Sequence, residues 1–190
     1  NVSADNLSYE VVKRTSLDFS NIINSELDFT NKILSSPWVW SPIHGVSKQK
    51  EIRSDVAAWI MRGGFLVLLG DFTKRSLDEL TNRKLHSGSW SVIGPNHEVM
   101  RSFYLLKTLP LCFPSDAWYS FNYDRRSAAI AVPFDIIDSQ VDHPTSQSRC
   151  LSEKDKEHEL RAFINIIMVA LTTDYKKDQI HLKEILKRLH

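Results

Sequence analysis

The chain has 190 residues, 42% of them hydrophobic and 25% charged, a balance that fits one globular domain and excludes disorder as its whole-chain state. Its 24 basic and 23 acidic residues leave a formal net charge of +1, which gives no electrostatic ground for a nucleic-acid or membrane-surface partner. No apolar run approaches the roughly 20 residues that a bilayer span requires, so direct membrane insertion of this segment is not expected.

Residues 1–46 read as an irregular N-terminal part of the same domain. They hold a strand candidate at Tyr9–Val12 and a better one at Trp38–Ile43, which is aromatic and β-branched and follows Pro37. Ser47 is placed to cap a helix along which Ile52, Val56, Trp59 and Ile60 recur at helical spacing, and Gly63-Gly64 stops it. Phe65–Asp71 is a nearly continuous apolar run, the mark of a strand covered on both faces. Ser76-Leu-Asp-Glu79 has the form of a capping box that opens a second helix ending near Leu85. Strand, helix, strand, helix predicts a parallel α/β sheet.

The middle of the chain is more loop-like. His86–Trp90 reads as a turn, Val92-Ile93 as a short apolar piece, Gly94–His97 as a break and Glu98–Leu106 as one helix. Leu109–Pro114 is extended by its two prolines. Ala117–Tyr123 and Ser127–Val132 are β-rich runs around Asp124-Arg-Arg126, either a hairpin or two strands joined by a plain loop. The polar stretch Val141–Ser152 reads as a flexible insertion. Glu153–Leu171 predicts a long helix that turns apolar on nearly every face, and so is buried centrally. A polar loop, Thr172–Asp178, and a short amphipathic helix capped by Asp178 then follow.

Three groups carry candidate chemistry. In Pro95–Tyr104, a helix starting near His97 would set His97, Arg101 and Tyr104 one turn apart on one face, fit to hold an anion or orient a water. The plain alternative is a capping histidine and a paired arginine. Asp71 ends the buried strand, where open α/β sheets face their ligand crevice, or else caps its own loop. Asp174, Tyr175, Lys176, Asp178 and His181 form the third group, more readily explained by packing and capping than by catalysis. Phosphate-loop, nucleophile-elbow and zinc signatures are missing, so no catalytic residue, metal or cofactor is assigned. Cys112 and Cys150 are either a disulfide pair or two inert thiols. The chain starts at Asn1 rather than a methionine, which reads either as a mature protein, after removal of an export signal or anchor, or as a trimmed chain.

Four segments together resemble one bacterial family: Arg14-Thr-Ser16, Met61–Asp71, Pro95–Leu106 and Asn165–His181. The sequence is similar to a family of domains of unknown function found in exported proteins and fused to von Willebrand-type membrane proteins of the aerotolerance operon. The resemblance implies a flavodoxin-like three-layer α/β sandwich with a mainly parallel central sheet, akin to class I glutamine amidotransferases and trehalose-utilisation-like proteins. It implies an extracytoplasmic location and a protein partner in a membrane-associated complex. The amidotransferase cysteine elbow has no match here, and Thr173 stands where the family's loop has a glycine. The expected function is therefore non-catalytic binding in the cell envelope. The alternative is a hydrolase using His97 as base with Asp71 or Asp178.

Overall fold

The computed structural model describes residues 2–15, 17, 36–42, 52–111, 116–134 and 153–188, with backbone alone at 2–7, 153–154 and 173–188. Ser47, Cys112, Cys150 and the expected insertion lie outside the described residues. Strands β1 (Trp38–Pro42), β2 (Phe65–Leu69), β3 (Ser89–Val92), β4 (Tyr119–Tyr123) and β5 (Arg126–Val132) form one sheet in the order β1-β2-β5-β4-β3. β1, β2 and β5 run parallel, while β4 and β3 add an antiparallel edge. The expected α/β class is present, but the sheet is mixed where the sequence predicts a mainly parallel one: parallel pairing is confined to β1, β2 and β5.

Strand alternation decides what covers each face. Phe65, Val67, Leu69, Ile130 and Val132 pack with helix α4 (Glu153–Arg188) and with Val11 of α1 (Val2–Thr15). Leu66, Leu68, Ala129 and Ala131 pack with α2 (Ser54–Met61) and α3 (Lys74–Thr81). Helices thus cover both faces, which is why every residue of β2 is apolar and buried. Burying each such side chain contributes about 1.5–3 kcal/mol.

The glycine pair closes α2 in a Schellman motif. Gly63, at φ 119°, donates to Ile60 O at 3.0 Å, and Gly64 donates to Trp59 O at 3.0 Å. The Arg126 guanidinium, from the start of β5, donates to Ile60 O and Gly64 O, placing a cation on the negative end of α2. The hairpin reading of β4 and β5 holds. Asp124 and Arg125 sit at φ 50° and 61°, the left-handed pair of a two-residue type I′ turn.

Several expected elements differ. Tyr9–Val12 is helical, within α1, because only Val11 faces the core and Glu10 pairs with Arg14 one turn on at 3.2 Å. The capping box of α3 sits three residues earlier than expected. Thr73 is the cap, with Ser76 N–H to Thr73 Oγ1 at 3.1 Å and Thr73 N–H to Ser76 Oγ at 3.0 Å, and α3 ends at Thr81. The expected turn at His86–Trp90 overlaps β3, whose four residues bury only Trp90 and are too short to show a period. Glu98–Leu106 is no α-helix: only Glu98–Met100 coil, as one 3-10 turn. The loop and second helix after Leu171 are absent, since α4 runs unbroken to Arg188. Thr173 and Asp174 lack the backbone freedom of glycine, and Thr172 bonds back to Met168 O at 2.7 Å within the helix.

Candidate functional site

His97 stands at the start of the 3-10 turn that crosses from β3 toward β4. Its Nδ1 accepts the Val99 N–H at 3.2 Å, capping the turn. Its Nε2 lies 3.2 Å from Ser127 Oγ of β5, which in turn bonds Ser120 Oγ of β4. An imidazole whose Nδ1 accepts a backbone N–H carries its proton on Nε2. His97 therefore donates to Ser127, and the two serine hydroxyls share the next bond. Burial pushes the imidazole below its ordinary value, and the Glu98 carboxylate opposes that push. Both ring nitrogens are committed while the ring is neutral, and protonation would set donor against donor at Val99.

A β-bulge brings Ser127 to the histidine. The register runs Phe121 to Ala129 and then Asn122 to Ser127, so Ala128 is the extra residue. It shifts the side-chain alternation by one, and Ser127 joins Ser120 on the α4 side rather than facing α2 and α3.

The segment after the turn is held by Asn165, which is fully buried in the centre of α4. Its Nδ2 donates to Val99 O at 2.6 Å and to Tyr104 O at 2.8 Å. Its Oδ1 accepts the N–H groups of Phe103 at 3.2 Å and Tyr104 at 2.7 Å. Ser102 Oγ adds a bond to Asn165 O at 2.8 Å. The amide thus uses its full capacity of two donors and two acceptor lone pairs. In an α-helix Phe103 N–H would bond Val99 O directly. Here the Asn165 amide stands between those two groups and replaces that bond.

Tyr104 connects the segment to a charged cluster. The Arg161 guanidinium lies over its ring, 5.4 Å from the centroid. Glu157 Oε1 takes bonds from Arg14 at 2.8 Å and Arg161 at 2.9 Å, tying α1 to α4. Arg14 holds the Glu157 carboxyl below the usual carboxylate range, opposed by burial and helped by Arg161, and Glu157 raises Arg14 in return. Both partners are part exposed, which limits the pair's worth to stability.

The structure does not gather the candidate residues into one place. Asp71 is exposed at the carboxyl end of β2, beyond Gly70, whose N–H bonds Val132 O at 3.0 Å. Leu69 pairs with Val132 at that end of β5, whereas Ser127 and its partner His97 are at the other end. The separation along the strand is roughly 15 Å at about 3.3 Å per residue. Arg101 is exposed and donates to Asn96 O at 3.1 Å. Tyr175, Asp178 and His181 lie on the continuing helix, so position 178 is inside a helix and not at the start of one. They are about 15–24 Å farther along its axis than Asn165. Only His97, Tyr104 and the backbone between them share one locality, the Asn165 clamp. Reading of the sequence missed Asn165, Ser120 and Ser127 as site residues. The visible signal was Asn165 itself, the only polar residue between Ala162 and Leu171.

A family model described as Domain of unknown function (DUF4159) matches residues 1–171. No functionally curated protein matches the chain.

Proposed function

The chain belongs to the DUF4159 family, and on that premise we propose that it is a non-catalytic, amidotransferase-like α/β domain of the bacterial cell envelope that acts by binding. One observation carries the reading: both nitrogens of His97 are consumed in bonds that hold its own turn and the sheet. A general base needs a free lone pair within reach of the proton it takes. The Ser127 contact is no nucleophile pair either, because the histidine donates to that serine and both serines are buried. The separation of Asp71 from His97 argues equally against a joint hydrolytic site.

In this reading a protein or small ligand meets the carboxyl ends of β2 and β5, where Asp71 is exposed. The test is an assay of the purified protein on ester, amide and phosphoester substrates beside folded His97→Ala and Asp71→Ala variants. No turnover that depends on either residue is expected. A turnover abolished by one substitution, with the fold intact, overturns the non-catalytic reading. Chemical shifts at Gly70–Phe72 during titration with carboxylates, amino acids and sugars test the binding locus. Cell fractionation of the natural gene product tests the envelope location.

A further inference from the structure

The segment Arg101-Ser-Phe-Tyr-Leu-Leu-Lys107 presents its apolar residues outward. Leu105 is 85% exposed and Phe103 45%, although Leu106 beside them is buried. Each large apolar side chain left in water forgoes the stabilisation that burial would give it. An unrestrained loop would relax by folding such groups back onto the domain. This one is restrained at both its polar and its aromatic positions. Asn165 holds the backbone of residues 103 and 104, Ser102 bonds the Asn165 carbonyl, and Leu106 N–H bonds Met100 O at 2.8 Å. The Phe103 ring meets the Tyr104 ring edge-on at 4.9 Å, and Arg161 covers Tyr104. A buried asparagine is thus spent on keeping two apolar side chains out. Exposed cations, Arg101 and Lys107, stand at the two ends of the segment.

We propose that this segment is a docking tip for a partner protein that offers an apolar pocket rimmed by carboxylates. The pocket would take Leu105 and Phe103, and its acidic rim would face Arg101 and Lys107. A fixed conformation favours a shaped protein pocket over a lipid surface. Preorganisation lowers the ordering cost of binding a rigid partner, whereas a fluid bilayer accepts any loop shape and is only weakly attracted by two cations. The tip is distinct from the Asp71 end of the sheet, so its failure leaves the binding reading there standing.

The experiment places a photo-crosslinking residue at position 105 of the full-length protein in its native cell. A control carries the same residue at Val92, which is 60% exposed on β3. A protein adduct at 105 and none at 92 is expected. The captured protein, once purified, is then titrated against variants that keep the wild-type melting temperature. Leu105→Ser and Phe103→Ser are each expected to weaken binding at least about tenfold, as truncated anchors do. Arg101→Glu with Lys107→Glu is expected to weaken it further and to flatten its salt dependence. The proposal is overturned by no protein adduct at 105, by an adduct to a second copy of the chain, or by an affinity that charge reversal leaves unchanged. Cosedimentation of the purified protein with phosphatidylglycerol–phosphatidylcholine vesicles, lost in Leu105→Ser, would assign the tip to membranes and overturn it too.

Discussion

Substituting Asn165 tests how far the segment from Val99 to Tyr104 depends on one amide. Asn165→Leu keeps the side-chain size and removes four hydrogen bonds at once. The bond to Val99 O is buried, and losing its partner costs about 1–3 kcal/mol. The other three are part buried, where water recovers some of the loss and about 0.5–1.5 kcal/mol each remains. Better burial of leucine in the apolar centre of α4 offsets part of that. A net loss of about 3 kcal/mol is expected, a large share of the 5–15 kcal/mol typical of a domain. At this chain length it lowers the melting temperature by roughly 6–12 °C. Asn165→Asp separates hydrogen bonding from size, since it retains both acceptors and loses both donors. Urea unfolding followed by circular dichroism gives the free energy. Amide exchange at Phe103 and Tyr104 locates the loss, and protection there should fall before protection in β2 does. A melting temperature within about 2 °C of wild type for both variants, with exchange at 103 and 104 unchanged, would refute the clamp.

Three further outcomes follow from the packing. His97 is held below its ordinary value when folded, so the unfolded chain takes up its proton first as pH falls. Its contribution is full above the unfolded value of about 6.5 and is lost as pH falls below it; urea titrations from pH 8 to 5 should show wild type losing stability relative to His97→Ala, and parallel curves would contradict the cap. Gly64→Ala puts a Cβ 2.2 Å from Trp59 Cε2, and since that buried indole is also bonded to Ser36 O at 3.0 Å, thermal melts should show a loss of about 1–3 kcal/mol. By contrast, Glu157→Gln removes a part-exposed carboxylate from Arg14 and Arg161 and should cost under about 1 kcal/mol, a difference that melts in high salt should erase.

Where local patterns decided the structure, the residues announced it. Phe65–Leu69 is apolar at every position because both faces are covered, Gly63-Gly64 is a helix stop in fact, and Asp124-Arg125 turns the hairpin. Where a distant residue decided it, they could not. Glu98–Leu106 has helical composition, yet Asn165, more than sixty positions away, takes the backbone groups that a helix would have paired. The meeting of His97 with Ser127 likewise depends on a bulge at Ala128 that no single-strand alternation reveals. Thr172–Asp178 reads as a loop because it is polar and follows an apolar helix. It holds neither glycine nor proline, and nothing local stops the helix.

The strand order has a consequence for biosynthesis. β2 lies inside the sheet between β1 and β5, but β5 is not made until more than fifty residues later. On the ribosome, β1, α2 and β2 emerge first, leaving Phe65–Leu69 with one hydrogen-bonding edge open and no polar side chain along it. Such an edge is a template for pairing with another nascent chain. The two-residue turn at Asp124-Arg125 shortens that interval, because β4 can fold onto β5 as soon as Val132 is clear and deliver it to β2 with its other edge already filled. A product truncated within the segment between β3 and β4 has no such strand to offer, and should reach the cell's aggregates rather than its folded pool.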